Sequence, residues 1–322
     1  MTYMEIRFEG TEKEIDALWR AERKNGIGGS EAAAVMGISK YTSPLEIWLI
    51  KTGREEQQDI SWKESVEWGS RLEPTVAEKF AEEHPELVVE EPGCMFASVE
   101  RPWAFASVDR VLEDGEGRRG ILEIKTAGSR SSGDWDEWVP DYYMAQVDHY
   151  LAVTGFEYAW VAVLIGGQEY REYKIDRDED DINAVSDAVD AFWNEYVEKD
   201  IMPQVVGSES ESRALSRMFS EPSGEMLQML DADLPELEAL EAAKAAKKEA
   251  EEQAKKIENE IKAKIGDASG IETETARVKW VRSEYSKLDT KKLKEEKPEI
   301  VAEYSSPAKR DGGLRITKKK GA

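Results

Sequence analysis

Residues 105–126, FASVDRVLEDGEGRRGILEIKT, hold the pattern that decides the fold. Phe105–Leu112 and Gly120–Thr126 are rich in β-branched and aromatic residues, and Asp114-Gly115 between them is a turn signal. Together they predict two strands joined by a tight turn. Side chains alternate faces along a strand, so Glu123 and Lys125 point one way while Ile124 enters the core. Across the turn, the Asp109 carboxylate can approach Glu123. Two converging carboxylates repel one another unless a cation or a proton relieves them. Magnesium does so with oxygen ligands at about 2.1 Å and retains waters that can be deprotonated. Lys125 beside such a site can position the attacking water or stabilise charge developing at phosphorus. The same triplet also reads as a cross-strand salt bridge on a solvated sheet face. The apolar frame of Ile121, Leu122 and Ile124 around Glu123 fits a central strand, and Glu73 and Gln146 in the flanking helical segments offer further polar groups.

Upstream, Thr11 and Glu14 form a capping box for a helix running to about Arg23. The Gly26–Ser30 stretch breaks it, with Ser30 as the cap of a short Glu31–Met36 helix closed by Gly37. Ser43-Pro44 starts a helix over Leu45–Thr52. A further helix spans Trp62 to about Glu83, where Pro74 predicts a kink or a new start. Leu87–Glu90 and Met95–Glu100 read as strands. Downstream, Glu137–Val153 reads as a helix stopped by Gly155. Glu157–Ile165 and Glu169–Ile175 form a hairpin across Gly166-Gly167, and Asp178–Lys199 is an amphipathic helix. This order predicts an α/β fold, a mixed sheet flanked by helices.

Ser208–Gly224 is polar and weakly patterned. The expected division is therefore a domain over 1–207, a linker over 208–232 and an accessory region over 233–322. In that last region Asp233 and Glu236 open a long helix to about Ile265 with a thin apolar stripe. Ile271–Tyr285 resembles a strand, Asp289 caps a short helix, and Gly313–Ile316 reads as a last small strand. Lys291–Lys320 carries 10 basic and 5 acidic residues, against a formal charge of −24 for the whole chain.

That acidity argues against a protein that coats DNA non-specifically, but not against chemistry in which bound cations offset clustered carboxylates. A single cysteine, Cys94, excludes a disulfide framework and thiolate-built zinc or iron–sulfur sites. Two histidines, His84 and His149, make an imidazole-rich metal site a poor expectation, and His149 is expected to be structural, or a donor behind the site, rather than a zinc ligand. No basic start followed by an apolar run is present, and no stretch is long enough to span a bilayer, so a cytoplasmic protein without membrane contact is expected.

Five blocks in order, over roughly residues 10–205, carry a resemblance. They are Trp19…Arg23…Ile27-Gly28-Gly29-Ser30, Gly69-Ser70-Arg71-Leu72-Glu73-Pro74, Ser107-Val108-Asp109, Leu122-Glu123-Ile124-Lys125 and Ala145-Gln146-Val147-Asp148-His149-Tyr150. The chain resembles the PD-(D/E)xK nuclease superfamily, specifically the phage exonuclease group with the YqaJ-like viral recombinase domain, which includes lambda exonuclease. The proline that precedes the first catalytic aspartate in the family is absent beside Asp109.

The resemblance implies a restriction-endonuclease-like core with a C-terminal helical arm. It implies two magnesium ions, with manganese as a substitute, held by Glu73, Asp109, Glu123 and the Ile124 carbonyl. Lys125 would orient or activate water, and Gln146 would bond near the water or the scissile phosphate. Arg23, Ser30 and Ser107 match the contacts to a terminal 5′-phosphate, which a guanidinium and a hydroxyl near a helix N-terminus suit. Ser39, Lys40 and Tyr41 are candidates to line the DNA path, and so is Tyr150, which equally reads as a core aromatic with its hydroxyl satisfied. The loop residues Trp135 and Trp138 are candidates to meet splayed bases.

The expected activity is 5′-to-3′ digestion of duplex DNA ends, leaving 3′ overhangs for a single-strand annealing recombinase of phage or prophage origin. A homo-oligomer, a trimer for instance, is compatible with it. A related endonuclease is the alternative, as is a DNA-binding or assembly module whose nuclease site is inactive.

Overall fold

The computed structural model describes residues 2–221, 223–230, 234–281, 283–306, 313–314 and 316–317. Residues up to Ser220 form one unit and those from Glu221 onward another.

The first unit is built on two sheets. Its larger sheet has five strands in the order β3 (Val88–Glu90), β6 (Arg110–Glu113), β7 (Arg119–Ala127), β8 (Tyr158–Ile165) and β9 (Glu169–Asp176). β6 and β7 pair antiparallel across the Asp114 turn, with Arg110 opposite Leu122, whereas β7 and β8 run parallel. A parallel pair needs a crossover connection, and here it is α5 (Asp141–Thr154). β7 is thus central, and its Ile121, Leu122 and Ile124 are buried as its apolar run requires. The smaller sheet orders β1 (Tyr3–Ile6), β4 (Met95–Ser98), β5 (Ala104–Ala106) and β2 (Ile27–Gly28).

One expected strand is therefore two. Phe105–Leu112 divides between the sheets, and the chain crosses from one to the other at Ser107-Val108-Asp109. The crossing takes Asp109 out of the ladder, and its carboxylate Oδ2 accepts the Ile124 N–H at 2.7 Å where a strand carbonyl would otherwise serve.

The helices lie around these sheets. α1 (Glu12–Arg23) has the Thr11–Glu14 capping box. α2 (Gly29–Val35) begins earlier than expected. Gly28 rather than Ser30 is its cap, because the Glu31 carboxylate reaches back to the Gly28 N–H at 2.9 Å. α3 (Pro44–Lys51) starts at the Ser43 cap, and α4 (Glu64–Glu83) is one helix with Pro74 inside it. α5 starts at Asp141 rather than Glu137, since Pro140 disfavours helix at the residue before it. Ser129–Trp135 instead forms a 3-10 turn. α6 (Glu179–Ala191) continues as a π-helical segment over Phe192–Val197.

The stretch expected to be a linker contains α7 (Glu209–Met218), which belongs to the first unit. Its Glu211 is buried and accepts the Val206 and Gly207 N–H groups at 2.8 and 2.6 Å, and Arg217 reaches Glu46 and Glu55. Ala214 is buried in a core cluster with Leu215 and Met218 packed against it, and these polar contacts hold the rest of the helix, so the apolar stripe is short.

In the second unit α8 (Glu236–Ile265) is exposed along most of its length and ends at Gly266. The expected strand over Ile271–Tyr285 is a small hairpin of β10 (Gly270–Glu272) and β11 (Arg277–Lys279). α9 (Thr290–Glu296) has the Asp289 cap, and α10 (Pro298–Glu303) follows. Asp233 of the expected capping box, Arg315 of the expected last strand, and residues 307–312 and 318–322 of the basic tail lie outside the described residues. Gly313, Leu314 and Ile316 form no strand. No helix among the described residues is long and apolar enough to cross a membrane.

Candidate active site

The centre of the site is the C-terminal half of β7. The two-residue period brings Glu123 and Lys125 to one face, as the strand reading requires. Glu123 is 2% exposed. Its Oε1 accepts from Lys125 Nζ at 2.5 Å and from Gln146 Nε2 at 2.7 Å, while Gln146 Oε1 accepts from Lys125 at 3.2 Å. Gln146 Nε2 also donates to Tyr150 Oη at 3.0 Å, one turn along α5. Glu73, Asp109, Glu123, Ile124 and Lys125 line one pocket of about 260 Å³.

The electrostatics of that pocket are unbalanced. Burial, and then the neighbouring Glu123 charge, push the Asp109 carboxyl well above the usual carboxylate range. Burial also pushes Glu123 up, against the pull of Lys125. For Lys125 burial favours the neutral amine, but the Glu123 and Asp109 charges outweigh it and raise the ammonium. Glu123 Oε2 is buried without a hydrogen-bond partner among the described residues. A buried charged oxygen left unmatched costs more than an ordinary lost hydrogen bond.

This is where a hard cation fits. Asp109, Glu123 and the Ile124 carbonyl supply oxygen donors of the type magnesium takes. Glu73 is engaged elsewhere, since Arg110 Nη1 donates to its Oε1 at 2.8 Å. Accordingly, no three acidic, histidine or cysteine side chains among the described residues stand together as a ready ligand set.

Arg23 is not presented to solvent. It is 4% exposed and pairs with Glu31 at 2.9 Å, while Lys51 binds the other Glu31 oxygen at 2.8 Å. Its guanidinium lies 5.3 Å over Trp19, whose indole N–H donates to Ser107 Oγ at 3.1 Å. Trp19 thus joins Arg23 to Ser107, whereas Ser30 sits exposed in the first turn of α2. Arg23 Nε is buried without a partner among the described residues. Gly28 is required here, because a Cβ would fall 2.0 Å from Arg23 Nη1.

The residues expected to line a DNA path divide sharply. Tyr41 is exposed, Lys40 pairs with Asp134 at 3.2 Å, and Ser39 Oγ accepts the Tyr41 and Thr42 N–H groups in a local turn. Trp138 is half exposed. Trp135 and Tyr150 do not line a DNA path, since both are buried, at 2% and 3%, and neither offers a ring face to a base; Tyr150 is instead a core aromatic whose hydroxyl is bonded by Gln146. Trp135 packs between Tyr143 and Tyr173, which roofs a loop that composition alone places at the surface. His149 is buried and bonded to the Phe105 carbonyl, and burial lowers its pKa to about 4, which suits a structural, neutral imidazole.

Sequence reading missed four residues at the site. Arg110 holds Glu73, Glu31 and Lys51 hold Arg23, and Tyr143 lies under Lys125 at 4.7 Å. Tyr143 could have been found, because it stands three residues before Gln146 on one helix and shares its face.

The YqaJ protein of Bacillus subtilis (strain 168) is 33% identical over 286 residues, which is 88% of this chain and 88% of that protein. The model of the YqaJ-like viral recombinase domain matches residues 18–157. The chain belongs to this YqaJ-like family. With it comes membership of the PD-(D/E)xK nuclease superfamily, and the mixed sheet flanked by helices is consistent with that superfamily's core. Among solved structures, the alkaline exonuclease of Laribacter hongkongensis is 20% identical, with a TM-score of 0.45 over 63% of this chain and 99% of that one. A phage-related exonuclease from Haemophilus somnus 129PT is 10% identical, with a TM-score of 0.39 over 54% and 95%. The YqaJ-like match covers all the residues of the pocket and of the Arg23–Ser107 group.

Proposed function

We propose that this YqaJ-like chain is a magnesium-dependent deoxyribonuclease that digests duplex DNA from 5′ ends. The observation that carries the reading is the buried Glu123 oxygen, without a hydrogen-bond partner among the described residues, beside a half-buried Asp109 in a pocket that also holds Lys125. Asp109, Glu123 and the Ile124 carbonyl would hold one ion, and Glu73 would serve a second on leaving Arg110. Bound divalent ions supply Lewis-acid stabilisation of phosphoryl oxygens and ease the ionisation of water.

The protein's own groups do the rest. Lys125 is fixed by Glu123 and Gln146 with its charge beside the pocket, where it orients the attacking water and offsets the charge gathering on the phosphoryl oxygens. Water oxygen bonds to phosphorus as the bond to the 3′-oxygen breaks, and the proton lost by the water balances the one gained by the departing oxygen. Gln146 bridges Glu123 and Tyr150 and keeps the Glu123 carboxylate facing the pocket.

Polarity rests on Arg23 and Ser107, with Ser30 at the exposed edge. Arg23 Nε, buried and without a hydrogen-bond partner among the described residues, would donate to a terminal phosphate once the DNA end opens the group, and such a phosphate carries more charge than an internal phosphodiester. Products with 3′ overhangs are the substrate class of a single-strand annealing protein, the partner this reading implies.

One observation favours a second reading. Arg23 is already paired with Glu31, and a purely structural arginine would leave the enzyme indifferent to ends and able to act as an endonuclease. A single assay separates these, with linear 5′-phosphorylated, linear 5′-hydroxyl and closed circular duplexes, each in magnesium and in EDTA. The exonuclease reading requires magnesium-dependent loss of the linear substrates, faster with the phosphate. Cleavage of the circle overturns it in favour of the endonuclease, and no cleavage of any substrate leaves a DNA-binding module.

A further inference from the structure

Lys125 is held by more than the carboxylate it pairs with. Its ammonium donates to Glu123 Oε1 at 2.5 Å and to Gln146 Oε1 at 3.2 Å. An ammonium has three N–H directions, and the remaining side is covered by the face of Tyr143, whose centroid lies 4.7 Å from Nζ. A ring face attracts a cation through its quadrupole, and the attraction strengthens where water is excluded.

The ring itself is clamped. Trp135 stacks on it with centroids 5.5 Å apart and planes 28° apart, and Tyr142 crowds it at 4.3 Å. Trp135 is fixed in turn, being 2% exposed and accepting a hydrogen bond at its carbonyl from the Tyr173 hydroxyl. A tryptophan that cannot meet DNA therefore stands directly behind a ring that touches the site's only lysine among the pocket-lining residues.

We propose that Tyr143 is a positioning residue for Lys125, its clamped ring face setting where the ammonium stands over the pocket, with Trp135 as the backing that keeps the ring in place. The inference rests on the nuclease reading above. Without the ring, the four-carbon stem of Lys125 regains rotamers and the ammonium follows Glu123 alone. The loss falls on the chemical step, since Tyr143 is not asked to bind DNA. The hydroxyl plays no part in the argument, so phenylalanine should replace tyrosine and leucine should not.

The test is steady-state cleavage of a linear 5′-phosphorylated duplex in magnesium by the full chain and by Tyr143→Phe, Tyr143→Leu and Lys125→Ala, with a thermal melt of each. Tyr143→Leu should lower kcat roughly tenfold with KM for DNA within about twofold. Tyr143→Phe should keep both near the wild-type values. If the leucine variant does not melt cooperatively, Tyr143→Met gives similar bulk without a ring face and is read in the same way. An unchanged kcat in the ringless variant overturns the proposal. So does a rise in KM alone, which would make Tyr143 a DNA contact, and so does an equal loss in Tyr143→Phe, which would place the role on the hydroxyl. Lys125→Ala keeps the two levels apart. If it cleaves at the wild-type rate, or the wild type does not cleave at all, the nuclease reading falls with whatever rests on it.

Discussion

Gly29→Ala should reach the catalytic centre through a single contact. A Cβ at Gly29 would lie 2.3 Å from Tyr150 Cε1 and 2.8 Å from Cδ1 and Cζ. Carbon atoms settle at about 3.5 Å or more, so the ring would have to retreat by about 1.2 Å. Tyr150 is 3% exposed and in the main core cluster, where overpacking costs about 1–3 kcal/mol. Its hydroxyl accepts from Gln146 Nε2 at 3.0 Å, and losing that bond adds about 1 kcal/mol. At roughly 2–4 °C per kcal/mol for a unit of this size, Tm should fall by about 5–15 °C. Intrinsic helix propensity pushes the other way, since alanine is favoured over glycine by up to about 1 kcal/mol, so a net loss isolates the contact. Gln146 also holds Glu123 and Lys125, and misplacing catalytic groups by about 1 Å can cost on the order of 100-fold in rate. The assay is a calorimetric melt beside initial cleavage rates, with Gly128→Ala as control because nothing lies within 4 Å of its added methyl. A Gly29→Ala chain that melts within about 1 °C of wild type and cleaves at its rate would refute the coupling from α2 through Tyr150 to Gln146.

Asp109→Asn should abolish cleavage yet raise Tm at neutral pH by removing a charge that burial and Glu123 disfavour. The amide oxygen can still accept the Ile124 N–H, and a variant that cleaves like wild type would remove Asp109 from the site. Asp148 is buried on α5 beside Asp181 and Asp178, which with burial push its carboxyl up to about 7. The folded state therefore keeps a proton that the unfolded chain releases near pH 4, so stability falls as pH rises from about 4 to about 7. Asp148→Asn should melt increasingly above wild type across that window and by a constant margin beyond it; a margin that does not change with pH disproves the assignment. A chain ending at Ser220 should fold and retain the pocket, because α7 is included and the second unit begins at Glu221. Failure to give a cooperative melt would show that the first unit depends on the second.

What could be read from the sequence follows from the range of the interactions involved. Glu123 and Lys125 were legible because a period of two fixes a face whatever the rest of the chain does. The turn at Asp114 then set the register that brings Asp109 alongside. The division of Phe105–Leu112 between sheets was not legible, since both halves have strand composition and the choice is made by distant partners. Ala104 and Phe105 pair with Ile27 and Gly28, and the strand after Asp109 pairs with Val88–Glu90. Trp135 was misplaced for a related reason: a loop tryptophan is buried or exposed according to what covers it, and Tyr173 lies on a strand 38 residues away. α7 escaped because its apolar side is a short stripe of Ala214, Leu215 and Met218 among serines, arginines and glutamates, and much of its docking is by carboxylates on serine, arginine and backbone N–H groups, which an apolar pattern cannot report. Arg23 is the instructive case between these. The family resemblance implied a phosphate contact there, yet Glu31, three residues past the Gly28 cap, claims one of its nitrogens. The sequence marked a helix start here but set its cap at Ser30, so the reach of Glu31 back to the Gly28 N–H was not read. Nor was its effect on Arg23, because that depends on the end of one helix meeting the start of another. The comparison of phosphorylated with hydroxyl ends therefore decides more than polarity: it tells whether that glutamate releases the arginine or keeps it.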